Sequence, residues 1–409
     1  MLLCLPAHPA YPAPSAQATS FEQALKDIDS PDAGARQRAA QMLKSAAYPE
    51  AALPLAKLVL DPSNTVQLEA IAAELNIFLA DSAAMTSRAG TTAETAFASG
   101  REAIGSSPVP LAVLAALRTA VRDETPRVAG ESLYAFGALS AGADGAARRE
   151  LLRVSGPELV GALGAADPAM RHAALNVIAR VYERRIGDDP VDPTVGDPIV
   201  NTMNDPDRTL MLDAIHAAGA MRYERALRSL TEMFQYHGKG EMAEASFDAV
   251  ARIAHPSSAA LFDAQLVSKS APIRGIAVEG IARLGDPARM PKLQTALARE
   301  RDAGVLLAQA FAGCQLAKAP LDPIVDGLRK SGTRDQARKY FRELAPGHVQ
   351  AFATALKDAD PQVRVSAVDA LGFSGDRAAL PMVEAMAGDP DGRVASAAGR
   401  AVARLRRGA

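Results

Sequence analysis

Hydrophobic positions recur along this chain at helical spacing, most plainly from Val349 to Leu405. Val349, Phe352, Ala353 and Leu356 stand at i, i+3, i+4 and i+7, so they form one stripe of a helix. Asp360-Pro361 then opens a second helix, because the Asp side chain can cap free N–H groups and Pro is tolerated in a first turn. That helix buries Val363, Ala367, Ala370 and Leu371, and Gly372 and Gly375 are expected to close it. The unit is then written again. Asp376 caps a helix with Leu380, Val383 and Met386, and Asp389-Pro390 opens one with Val394, Ala397, Ala401, Val402 and Leu405. Neither pair can cover its own stripe, so the pairs must stack.

The same unit is found upstream. A shift of 90 residues sets Ile273, Arg274, Ala277, Val278 and Ile281 on Val363, Arg364, Ala367, Val368 and Leu371. Second helices are predicted to open near Pro31, Pro62, Pro126, Pro168, Pro206, Lys239, Pro272, Ala303, Thr333, Pro361 and Pro390, about eleven pairs. Leu68, Ile71, Ala72 and Leu75, and again Leu175, Ile178, Ala179 and Tyr182, keep the helical period, and no alternating strand pattern of any length interrupts it. The expected fold is all-α: an α-solenoid, a right-handed superhelix of about eleven antiparallel helix pairs over residues 19–409. Uneven spacing marks insertions at 82–110, read either as a weak helix around Glu94 to Ile104 or as a mobile excursion, and at 185–193. A short extra helix is expected around Gly145 to Val154.

Composition agrees with helix-on-helix packing, since hydrophobic residues make up 48% of the chain while aromatics are 4% and Trp is absent. With 45 basic and 47 acidic residues the net charge is −2, which gives no electrostatic footprint for nucleic acid. No apolar run reaches the roughly 18 residues of a membrane-spanning helix. Residues 1–18 are Pro- and Ala-rich, lack acid and base, and end in the small-x-small triplet Ala16-Gln17-Ala18. They read as the remnant of an export signal, giving a periplasmic or secreted protein, or as a disordered N-terminus on a cytoplasmic one. Cys4 would leave with that segment, and Cys314, between Phe311 and Leu316, is read as a core residue.

The run Asp360-Pro361-Gln362-Val363-Arg364, followed by Ala370-Leu371-Gly372 and Gly375-Asp376, resembles the HEAT repeat in its short bacterial form, also seen in phycobilisome-lyase-like proteins. Asp389-Pro390 with Arg393-Val394, Asp167-Pro168 with Met170-Arg171, and Ile273-Arg274 look like the same signature. The resemblance implies a ladder between successive repeats, with a structural role for Asp167, Arg171, Arg274, Asp360, Arg364, Asp389 and Arg393. Arg36, Arg127 and Arg208 fall off the spacing, so the resemblance does not extend the ladder to their repeats.

Chemistry-bearing residues are sparse. None of the six His is followed by Glu, which excludes the HEAT-like iron hydroxylases, and the lack of a basic, aromatic-lined cleft argues against the HEAT-like DNA glycosylases. His172 and His216 fall on neighbouring second helices without a Cys or convergent carboxylate, so they are not read as a metal site. The acidic loop from Gly187 to Asp197 lacks EF-hand spacing and reads as a solvated turn balanced by Arg180, Arg184 and Arg185. Arg400, Arg404, Arg406 and Arg407 read as a basic face complementing the end of the last helix. The expectation is a monomeric, non-enzymatic scaffold without cofactor, whose concave face, including Ser366 and Asp369, binds another protein or an extended peptide. Tyr236-His237 is the candidate exposed contact. The competing reading is a phycobilin-lyase-like accessory protein or a small-ligand-binding member of the family.

Overall fold

A computed structural model describes residues 16–79, 92–100, 104–140, 145–183 and 190–407. The helices run in antiparallel pairs. In order they are α1 (Ala16–Asp27) with α2 (Ala33–Ala46), and α3 (Ala52–Leu58) with α4 (Asn64–Phe78). A lone short helix, α5 (Ala93–Ala98), precedes α6 (Leu111–Ala120) with α7 (Pro126–Ser140) and α8 (Gly145–Ala162) with α9 (Pro168–Val181). Then come α10 (Pro193–Thr202) with α11 (Arg208–Ala220), α12 (Leu227–His237) with α13 (Glu241–Ile253), and α14 (Ala259–Gln265) with α15 (Ala271–Leu284). The last pairs are α16 (Met290–Ala296) with α17 (Ala303–Ala317), α18 (Asp322–Arg329) with α19 (Arg334–Leu344), a turned segment with α20 (Pro361–Gly372), and α21 (Leu380–Ala385) with α22 (Gly392–Arg407).

Each predicted opening is followed within two residues by a second helix or lies at its start, so the described residues hold eleven pairs in single file. Second helices pack side by side along the file, while first helices meet one another less closely. Crowding on one side and splaying on the other bends the stack, with the second helices inside. Ile273 and Val363 are buried between neighbouring pairs, as their stripe requires. Among the described residues the only β pairing is one isolated antiparallel bridge between Leu79 and Ile104.

Four local expectations are corrected. The stripe of Val349, Phe352 and Leu356 is buried, but its segment folds as two 3-10 turns, Val349–Ala353 and Ala355–Lys357. Gly372 is not a turn residue. It is helical, and a Cβ there would lie 2.5 Å from the Cβ of Ala401, so it lets α20 and α22 touch; Gly375, at φ 69°, supplies the left-handed turn. No extra helix stands at 145–154, because the surplus lengthens α8, which carries Pro157 inside it. The helix in the 82–110 insertion is shorter than expected, Ala93–Ala98, capped by the Thr92 hydroxyl on the Thr95 N–H. Residues 1–15 lie outside the described residues, as do 80–91 and 184–189; Ala16-Gln17-Ala18 form the first turn of α1.

Candidate functional site

The turn before several of the second helices divides its labour between two residues. In Asp358-Ala359-Asp360, Asp358 accepts the N–H of Asp360, and Asp360 caps α20 through the N–H of Gln362. Asp389 and Asp391, and Asp205 and Asp207, repeat the arrangement. The first acid of the turn takes a guanidinium from the preceding repeat. Arg364 reaches Asp389 through Nε and Nη2, both at 2.8 Å, while its Nη1 donates to the carbonyl of Asp358 in its own turn. Arg274 does the same to Glu300 at 2.7 and 3.0 Å, and this bonding pulls the Glu300 carboxyl down to about 2. Arg171 meets Asp205 at 3.2 Å.

Asp167 and Asp360 therefore serve as helix caps and Asp389 as a rung, while Arg393 turns back to Asp391 of its own turn. The spacing argument misses Arg36, which pairs with Asp61 at 2.6 and 2.9 Å, and Gln67, which donates to Asp123 at 2.9 Å. Counting six residues on from the first residue of the helix's own turn, as from Asp358 to Arg364, reaches Arg36 from Ser30 and Gln67 from Asp61. Arg208 makes only an exposed pair with Glu241.

The inner face is the obvious binding surface, yet much of it is occupied by the chain itself. In its middle, side chains of α15 and α19 meet across α17. Arg283 holds Glu343 at 2.8 and 2.9 Å and Glu279 at 2.8 Å, and Glu279 also accepts the Tyr340 hydroxyl at 2.6 Å. Lys339 lies 3.2 Å from Glu279 and 3.6 Å from Asp248, which in turn holds Arg252. Burial opposes every charge here. Even so, Glu343 and Glu279 hold the Arg283 guanidinium well above its ordinary value, and Arg283 and Lys339 keep the Glu279 carboxyl below its own. The charges are matched, three acids to three bases.

Toward the N-terminal repeats the same face is covered by the insertion. The Ala93 N–H donates to the Glu131 carboxylate at 2.8 Å. Phe97 lies 3.7 Å beneath the Arg180 guanidinium and beside Tyr134, and its carbonyl accepts from Arg180. Farther along, the Gly105 N–H donates to the carbonyl of Phe78 at 2.8 Å. From the far end of the chain, Arg404 donates to the carbonyl of Ile104 at 2.7 Å and Arg407 to that of Ser106. Segment 104–106 thus joins the second repeat to the last helix.

The candidates read from sequence fall into this frame as follows. Arg404 is not a solvated base: it is 1% exposed and stacked on Phe373 at 4.0 Å, whereas Arg406 is exposed and pairs with Glu384. Asp369 does not face open solvent. Burial raises its carboxyl pKa against the pull of Arg400, Arg404, Arg342 and Arg338. Ser366 spends its hydroxyl on the carbonyl of Gln362 in its own helix. Tyr236 is 86% exposed at the end of α12, with the exposed His237 ring edge-on beside it. His172 does have convergent carboxylates, Asp213 at 2.7 Å and Asp207 at 3.9 Å, while His216 is exposed. Among the described residues no group of three or more His, Cys, Asp or Glu is placed to hold a metal ion. In the acidic loop, Asp192 caps α10 and Asp197 takes Tyr223 and Arg225; Asp188 and Asp189 lie outside the described residues. No helix among the described residues is long and apolar enough to cross a membrane.

Comparison with known proteins agrees with this repeat geometry. The family model described as HEAT repeats matches residues 322–407, which hold α18 to α22. No curated protein matches the chain. A solved chain from the structure titled for Kap95p binding and the switch loops of RanGDP is similar at 15% identity and a TM-score of 0.34. The alignment covers 94% of this chain and 50% of that one, so this chain spans about half its length. Residues 322–407 therefore carry HEAT repeats, and the same turn and ladder recur upstream of them in an all-α solenoid.

Proposed function

We propose that this protein is a non-catalytic scaffold that binds another protein, and that it does so along the edge of the stack where first helices turn into second ones. The observation that carries this reading is the exposure of two large apolar side chains on that edge. Tyr236 is 86% and Val267 75% exposed, whereas the other exposed large hydrophobics reach at most 56%. Tyr236 stands five residues before α13 and Val267 four before α15, so they occupy matching turns of adjacent repeats. An aromatic anchor with an aliphatic neighbour, held on a rigid ladder, is the kind of contact that supplies much of the energy at protein interfaces. The inner face supports the same choice of surface, because its central charges are already matched to one another.

The test is a binding comparison. The wild-type chain and a Tyr236→Ser/Val267→Ser variant are immobilised, and a protein retained by the wild type is purified and titrated against both. The reading expects affinity to fall by about tenfold or more in the variant. Equal affinity of a purified partner for both chains would contradict it.

A further inference from the structure

The insertion is not needed to complete the stack, since α3 packs on α6 and α4 on α7 without it. It nevertheless sits in a groove shaped to receive it. A Cβ on Gly137 would fall 2.8 Å from Cε2 of Phe97 and 2.9 Å from Cγ2 of Val177, so this glycine leaves the space that the Phe97 ring fills. The ring is 9% exposed, with Tyr134 beside it and Arg180 over its face. Several main-chain groups of the segment are met by side chains of distant helices: the Ala93 N–H by Glu131, the carbonyls of Phe97, Ile104 and Ser106 by Arg180, Arg404 and Arg407. Side chains reading main-chain groups around one aromatic anchor is how a protein holds a peptide. The helix involved has six residues, too few to persist alone in water.

We propose that the segments 93–98 and 104–106 act as a tethered pseudo-ligand, and that the groove beneath them is a second recognition site of this scaffold. Its occupant in trans is a partner segment of the same chemistry: a short helical turn with an aromatic side chain, followed by an extended stretch offering main-chain carbonyls to arginine. Tethering gives the internal segment an effective concentration on the order of millimolar, so a partner binds only by out-competing it. The inference rests on the protein-binding reading, but substitutions at Tyr236 and Val267 leave the assay below untouched, so the two fail separately.

A fluorescent synthetic peptide spanning residues 92–106 serves as the probe, titrated against the full chain. Phe97→Ala weakens the internal competitor and is expected to tighten peptide binding by at least about tenfold over wild type. Phe97→Ala/Gly137→Val refills the vacated space from below and is expected to abolish that gain. Peptide binding no tighter to Phe97→Ala than to wild type, or unaffected by Gly137→Val, would overturn the proposal. Should the variants fold poorly, hydrogen exchange on the wild-type chain decides. The amides of Ala96, Ser99 and Gly105 are expected to exchange through an opening that leaves α7 and α9 protected. Exchange of these amides only through global unfolding would overturn the proposal equally.

Discussion

Glu74 is fully buried, and neither carboxylate oxygen has a hydrogen-bond partner. It stands thirteen residues after Asp61, as Phe136 stands after Asp123 and Leu371 after Asp358, and both of those residues are fully buried core groups. An acid therefore occupies a position that these two repeats give to a hydrophobe. Burial alone raises its pKa well above the ordinary carboxylate value, so the fold keeps it protonated where the unfolded chain would ionise it. The sign follows from linkage: the stabilising contribution is fully present below the unfolded-state value and is lost as pH rises toward the folded one. The loss runs at about 1.4 kcal/mol per pH unit. Thermal melts from pH 4 to 8 should show a falling Tm for wild type and a flatter profile for Glu74→Gln, with Glu74→Leu melting several degrees higher at neutral pH. At the same scale, Cys314 is 1% exposed and burial pushes its thiol up to about 11. It should resist a thiol reagent in the native chain and react on denaturation, as a mass-spectrometric time course would show.

Among the elements, the turn with its two acids determines how well one repeat is tied to the next. Arg364 shows why guanidinium is used there: one fork grips Asp389 with two parallel bonds while the remaining nitrogen holds its own turn. An ammonium cannot do both. Arg364→Lys should lower Tm by a few degrees despite keeping the charge, and should speed hydrogen exchange in α22 while leaving α9 unchanged, because coupling passes only between neighbours. Equal exchange throughout would mean the rung is not local. The helices themselves were legible in sequence, since Asp-Pro steps and stripes such as Val363, Ala367 and Leu371 state both the cap and the buried face. The direction of each rung was less so. Asp360 and Asp389 look alike in the sequence, and only the stacking shows that one caps a helix while the other receives the preceding arginine.

At the level of the whole molecule, the repeat period encodes how neighbours pack and nothing about what meets across the bend. Arg283 and Glu343 lie 60 residues apart and Arg404 and Ile104 300 apart, so no periodic signal announces either contact. Helical phase alone points to Ser366 and Asp369 as concave positions, and it is silent about the arginines of α19 and α22 that already surround Asp369. A signal for Arg404 was present in retrospect: a base at i+3 from Ala401 and next to Leu405 lies on the buried stripe of α22, where a solvated arginine has no place.

The central claim is that the file of repeats is closed across its inner side, with segment 104–106 held by the last helix. Proximity in solution tests this most directly. In a Cys4→Ser background, Ser106→Cys and Arg407→Cys are introduced together and treated with a short bis-maleimide at high dilution, with Cys314 shielded in the core. The closed arrangement predicts rapid cross-linking within a single chain, recovered as one linked peptide pair spanning residues 106 and 407. Failure to form that intramolecular link under native conditions, with both thiols freely labelled, would contradict it.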